Sequence, residues 1–236
     1  MATWQIRYEA DVAVLSFDDG KANVLLVPEF KDLERALDEL AASKALAVVM
    51  TGRDGFFSAG LNLKVFGTLP IAQKREVVEA MGSAVLKLFL FSKPVVAAVS
   101  GHGLGGGAMF GLACDVRLFA EGPFKFGLNE VPAGLLVPSY AIELAAAALP
   151  ASQMTGMVVH GKTVSPQGAL KIGLAEAVYP PETLLSAAIA RAIELTGISG
   201  TGYAMTKRLV RGPAAASSRA KLPGELDALT QMLSGT

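Results

Sequence analysis

Between Gly101 and Gly107 five of seven residues are glycine, within the stretch KPVVAAVSGHGLGGGAMFGLACD that runs from an apolar strand pattern into a small-residue helix pattern. Glycine has no Cβ, so a ligand or another backbone can approach the main chain closely. The helix start that follows offers unpaired N–H groups at the positive end of its dipole. That combination serves an anion or a developing oxyanion. Gly101, Gly103 and Gly106 also fit the G-x-G-x-x-G spacing of a dinucleotide site, but no clean strand ends in an acidic residue about twenty positions on, as that site requires. Ser58, in GFFSAG, misses the G-x-S-x-G spacing because Phe56 stands where the first glycine must be, and a helix-cap or loop role suits it better. Two histidines, His102 and His160, and one cysteine, Cys114, show no metal-ligand spacing. Cys114 lies in apolar sequence and reads as a core thiol; a single cysteine implies no disulfide and a reducing, cytoplasmic setting.

The elements around these residues follow from their periodicity. TWQIRYE and DVAVLSF read as a hairpin about Ala10, followed by a loop, DDGKAN. Pro28 opens a helix with Phe30, Leu33, Leu37 and Leu40 on one face. ALAVVMTG and PVVAAVSG are short apolar runs, each ending in a glycine loop, separated by a helix over about Ile71 to Phe91 that the Lys93-Pro94 step ends. Two such units in succession predict an α/β chain with parallel strands whose loops emerge on one edge of the sheet. VRLFAEG and PFKFG read as further strands, and the chain beyond Pro138 as mostly helical, with RGPAAASSRAK as a low-complexity stretch. Among 236 residues 21 are basic and 21 acidic, so nothing marks a nucleic-acid partner or an anionic membrane surface. No apolar run is long enough to span a membrane, and the first fifteen residues lack the pattern of a secretory signal. With 52% hydrophobic residues and a mean hydropathy of +0.44, the chain carries more apolar material than a monomer of this size needs, which predicts a homo-oligomer.

Three motifs in order, FFSAGLNLKVF, KPVVAAVSGHGLGGGAMFGLACDVRLFA and FKFGLNEVPAGLLVP, resemble the enoyl-CoA hydratase/isomerase, or crotonase, superfamily. The resemblance extends over roughly Ile6 to Leu209 and includes TVSPQGALKIGLAEAVYPP. It implies a spiral of ββα units over residues 1–180, a C-terminal helical trimerisation region over 181–236, and an acyl-CoA thioester as substrate, with no cofactor beyond the coenzyme A moiety. The family's oxyanion hole, carried over, uses the backbone N–H groups of Leu61 and Gly106. Two such donors stabilise the enolate formed when a thioester loses an α-proton. Leu61 stands where alanine is commoner and narrows the acyl pocket.

The acid–base positions depart from the hydratase pattern of two glutamates. Met109 occupies the first, and a thioether neither orients nor deprotonates water. Glu130 occupies the second, after Asn129, and GLNE followed by GLLVP resembles the isomerases that convert 3-enoyl-CoA to 2-enoyl-CoA with one glutamate. Val131, Leu135, Leu136 and Val137 around Glu130 predict a raised pKa. The resemblance assigns coenzyme contacts to Lys21, Ala22, Val24, Gly105 and the run Ser58, Ala59, Gly60, Leu61, and the acyl pocket to Phe66, Met109 and Leu136. Lys64 is a further candidate for phosphate. Hydration through Glu130 alone, decarboxylation, and acyl-CoA binding without catalysis stay open as alternatives. The C-terminal part reads as short, without the long basic terminal helix common in hydratases, so a homotrimer or dimer of trimers rests on the resemblance alone.

Overall fold

The computed structural model describes residues 4–234. Thr3, the expected first residue of the opening strand, and the last two residues of GELDALTQMLSGT lie outside them. The hairpin is present: β1 (Trp4–Glu9) runs antiparallel to β2 (Val12–Phe17), with Ala10 turning at φ 51. From β2 onward the chain repeats one move, a strand in a large sheet, a short strand in a second layer, then helix. β2 is followed by β3 (Val24–Leu25) and α1 (Val27–Ala42). β4 (Ala47–Thr51) is followed by β5 (Gly55–Ser58), β6 (Gly60–Leu61), α2 (Leu63–Thr68) and α3 (Ile71–Phe89). β7 (Val95–Val99) leads to β8 (Gly101–Leu104) and α4 (Gly106–Ala113), and β9 (Val116–Ala120) to β10 (Phe126–Gly127) and α5 (Ser139–Ala148). Then come α6 (Pro166–Lys171), β11 (Ala177–Tyr179), α7 (Pro181–Thr196) and α8 (Thr201–Ser234).

The large sheet has the order β1-β2-β4-β7-β9-β11 and is parallel beyond the hairpin. The second layer comprises β10-β8-β5 and the pair β3-β6. Strands buried on both faces read as continuous apolar runs, and period two divides them between two cores. Ala13, Leu15, Val48, Met50, Val95 and Ala97 face the main core, where α1 buries Phe30, Leu33, Leu37 and Leu40 as its periodicity predicts. Val12, Val14, Ala47, Val49, Val96 and Ala98 face Leu184, Ala188 and Ala192 of α7. The boundary expected after residue 180 therefore falls just ahead of a helix that covers one face of the large sheet.

The C-terminal reading needs correction. The described residues end in a 34-residue helix, α8, and RGPAAASSRAK forms its middle, with Ala215 and Ser218 buried against the body of the protein. Pro213 and Pro223 lie inside it, so the usual signs of a helix stop are misleading here. Tertiary anchors hold the helix in place. Asp115 pairs with Lys207 at 2.8 Å and with Arg211 at 3.0 Å, and Arg211 also donates to the carbonyls of Phe89 and Ala113, the last residues of α3 and α4. A cation at two helix C-termini complements both dipoles. Further along, Arg75 of α3 binds Asp227 at 2.8 Å.

Candidate active site

A knot of hydrogen bonds forms where DDGKAN meets β5. Asn23, fully buried at φ 54, donates through Nδ2 to the carbonyls of Phe17, Phe56 and Phe57, while its Oδ1 accepts from Asp19 N–H. A short polar side chain that satisfies its own turn tolerates the left-handed conformation. Ser58 Oγ donates to Asn23 O at 2.7 Å and accepts from Gly60 N–H at 3.1 Å. Its hydroxyl is a structural pin, and neither histidine serves it: His102 lies between Phe56 and Phe124 and accepts from Lys125 N–H, and His160 is exposed.

The knot sets the course of β6. Ala59 N–H donates to Ala22 O and Asn62 N–H to Leu25 O, both towards β3. The left-handed Gly60 breaks the regular alternation after Ala59, but Asn62 N–H points to β3, and successive N–H groups along a strand alternate in direction, so the adjacent Leu61 N–H faces away from β3. Gly60, at φ +81, makes the close approach that matters: a Cβ there would lie 2.4 Å from Leu104 O and 3.1 Å from Gly106 N. Leu61 is thereby set alongside Gly106, the first residue of α4. Within that helix the first backbone bond is Met109 N–H to Gly105 O, leaving the Gly106 N–H at the dipole's positive end without an intrahelical acceptor. The glycines of the dinucleotide pattern are spent on packing instead, since a Cβ on Gly101 would strike Gly55 and one on Gly103 the Phe126 ring.

Glu130 follows β10 in a tight turn. Its carbonyl accepts from Ala133 and Leu135 N–H, and Gly134 at φ 72 closes the loop. The side chain is 9% exposed, and Oε1 lies 3.2 Å from where a Cβ on Gly105 would stand. Oε2 is buried without a hydrogen-bond partner among the described residues. Loss of hydration pushes the carboxyl up to about 7. Leu135 and the half-exposed Leu136 line that setting as expected, Val131 is half exposed, Val137 is buried in the main core, and Phe66, Val78 and Met81 supply the rest.

A single cleft joins these groups. Its mouth is lined by Ala59, Leu61, Gly105, Gly106, Asn129 and Glu130, and its inner part by Leu61, Glu130, Phe66, Met81 and Leu136. Leu61, Glu130 and Leu135 stand at the junction of the two. Of the residues expected at the site, Glu130, Leu61, Gly106, Gly105, Ala59, Phe66 and Leu136 are brought together, with Gly60 and Ser58 behind them. Ala22 and Val24 border β6 through β3, Lys21 sits in the loop with its carbonyl bound by Arg53, and Lys64 is exposed on α2. Met109 is placed otherwise: it is fully buried in the main core and is not among the side chains lining the cleft. Val78 and Met81 of α3 and Glu225 and Leu229 of α8 line it instead. The spacing of Leu222, Leu226 and Leu229 was the available sign that this end of α8 packs inward.

An apolar slot, a buried base and two backbone donors at one junction are the parts needed to hold an acyl thioester and move a proton on it. Residues 7–235 match the sequence model of the enoyl-CoA hydratase/isomerase family. The chain belongs to this family. An enoyl-CoA hydratase/isomerase family protein from Pseudomonas syringae is 28% identical, with a TM-score of 0.90 over 96% of this chain and 98% of the other. An enoyl-CoA isomerase from Mycobacterium tuberculosis is also 28% identical, with a TM-score of 0.88 over 95% and 97%. The human mitochondrial delta3-delta2-enoyl-CoA isomerase, at 24% identity, shares the fold with a TM-score of 0.93 over 98% and 92%. The family match reaches 26 residues beyond Leu209, where the motif resemblance stops, and so takes in the whole of α8. Within the enoyl-CoA hydratase/isomerase fold, the protein is an acyl-CoA enzyme whose cleft presents one buried glutamate. At the position of the missing second glutamate stands Met109, an apolar side chain fully buried in the main core.

Proposed function

We propose that the protein converts 3-enoyl-CoA to 2-enoyl-CoA, with Glu130 as the only proton carrier. The observation that carries this reading is Glu130 itself: buried, raised to about 7, with Oε2 free of hydrogen bonds at the junction shared with Leu61. The thioester oxygen sits between the N–H groups of Leu61 and Gly106. Glu130 Oε2 takes a proton from C2, and the electron pair left behind delocalises onto the thioester oxygen as an enolate. The double bond then moves between C2 and C3 as the same proton returns at C4. Two backbone donors held by packing cost no reorganisation when the charge appears, and each is worth on the order of 3 kcal/mol in barrier.

In the same reading the coenzyme's pantetheine lies along Ala22, Val24, Ala59 and Gly105, with Lys21 within the same loop, and the acyl chain enters the inner cleft against Phe66 and Leu136. No cofactor is required beyond the coenzyme A of the substrate. Ile193, Ile198, Met205, Leu209 and Val210 are exposed on α7, α8 and the turn between them, Leu209 at 75% and Val210 at 73%, which supports a homotrimer or dimer of trimers with this face covered. The apolar burial of the lone Cys114 fits a reducing, cytoplasmic location.

The test is label transfer. With 3-enoyl-CoA deuterated at C2, a single buried carrier is expected to deliver part of the deuterium to C4 of the product within one turnover, read by mass spectrometry and proton NMR. Product that holds only solvent hydrogen at C4, together with a Glu130→Gln variant that turns over like the wild type, would remove Glu130 as sole carrier, whereas solvent hydrogen alone would mean only that the carrier exchanges with water before the proton returns.

A further inference from the structure

The inner cleft has one feature that proton transfer at C2 and C4 leaves unused. Most of its wall is apolar, from Phe66, Val78, Met81 and Leu136, yet α8 adds one acidic residue, Glu225, beside Pro138 and Leu229. Glu225 is half-buried and fixed from behind: both its oxygens lie within 3.2 Å of Ser139 N–H, at the first residue of α5, whose dipole complements the negative charge. One N–H leaves most of the acceptor capacity of a carboxylate unfilled. The buried Tyr140 lies near both carboxylates: burial first, and then the charges of Glu130 and Glu225, disfavour its ionisation, and its hydroxyl donates to Val78 O.

An alkyl tail pressed against this carboxylate would strip its water and return nothing, whereas a hydroxyl at that depth would donate a charge-assisted hydrogen bond. We propose that Glu225 is a specificity-determining residue that selects acyl-CoA substrates carrying a hydrogen-bond donor, such as a hydroxyl, towards the far end of the chain. The inference rests on the reading that the inner cleft holds the acyl chain, and not on which reaction follows.

Binding, which needs no turnover, separates the two. Isothermal titration of the intact protein would compare saturated acyl-CoAs with ω-hydroxyacyl-CoAs of equal length, in hexanoyl, octanoyl and decanoyl series. At the length that reaches Glu225 the hydroxylated ligand is expected to bind about tenfold more tightly than its alkyl partner. Glu225→Leu is expected to reverse that order, and Glu225→Gln, which keeps an acceptor for both Ser139 and the ligand, to retain a reduced preference. Should Glu225→Leu fail to fold, the Gln variant alone carries the comparison. Equal affinities for the paired ligands at every length, or a preference that neither variant alters, would overturn the inference while leaving the isomerase reading intact. No binding of any acyl-CoA would overturn both.

Discussion

Glu130→Gln lowers kcat for 3-enoyl-CoA by a factor of about 10² to 10⁴ and, at the same time, makes the fold more stable at and above neutral pH. The two effects share one cause. Burial raises the Glu130 carboxyl from 4.5 to about 7, because the charged form loses its water and Oε2 finds no donor in exchange. In the unfolded chain the group titrates near its ordinary value. Below that value both states hold the proton and the site costs nothing. As pH rises towards 7 the unfolded chain releases its proton first, and stability falls until the folded group also ionises. The shift, at 1.36 kcal/mol per pH unit, amounts to roughly 3 kcal/mol of stability missing above pH 7. Glutamine never ionises, so the difference in melting temperature between variant and wild type should be small under acid conditions and grow through the window between the two values. Catalysis has the opposite dependence, since only the carboxylate accepts the C2 proton: kcat/KM of the wild type should climb with pH and level off above about 7. A variant that turns over like the wild type, or a melting difference that does not change with pH, would be incompatible with Glu130 as the buried base.

Gly60→Ala is expected to lower kcat by a factor of about 10² to 10³, comparable to the removal of an oxyanion donor, although it deletes no polar group. A Cβ at this position would stand 2.4 Å from Leu104 O and 3.1 Å from Gly106 N, and both obstacles are backbone. Neither can rotate aside. The φ of +81° adds strain of about 1 to 3 kcal/mol for an L-residue. Relief requires β6 to move away from the β8–α4 junction, which draws Leu61 N–H out of register with Gly106 N–H. Gly67→Ala on α2 is the control, as a Cβ there meets nothing within 4 Å and φ is not positive. It should leave turnover unchanged and slightly stabilise the helix. Steady-state kinetics and thermal unfolding of the two variants decide the matter: equal activity of Gly60→Ala and wild type would mean that the β6 and α4 amides do not hold the enolate.

Local pattern carried the fold where local pattern controls structure. The central strands β2, β4 and β7 of the large sheet are apolar runs because both their faces are buried, and α1 shows its core face in the spacing of Phe30, Leu33, Leu37 and Leu40. The glycine-dense loop marked a place of close backbone approach for a physical reason, since Gly101 and Gly107, like Gly60 on the facing β6, lie where a Cβ would strike backbone. What stayed hidden depended on contacts between distant segments. Asn23 reads as a loop residue, yet it is fully buried and ties three carbonyls together. α8 reads as interrupted because Pro213, Pro223 and a run of small residues break its pattern, and it is held by Asp115 and Arg75, which lie on other elements. Met109 shows in sequence that a second glutamate is missing but not that its side chain turns into the core, and the spacing of Leu222, Leu226 and Leu229 signals an inward face of α8 but not that Glu225 on it lines the cleft.

The most direct measurement offers the purified protein 3-enoyl-CoA and 2-enoyl-CoA in parallel and follows the absorbance of the conjugated thioester. A rise with the 3-enoyl substrate, with no loss of signal from the 2-enoyl one in the presence of water alone, is the result expected of a single buried glutamate facing two backbone donors. Loss of the 2-enoyl signal without a rise from the 3-enoyl substrate would show that the cleft activates water, and would contradict the account.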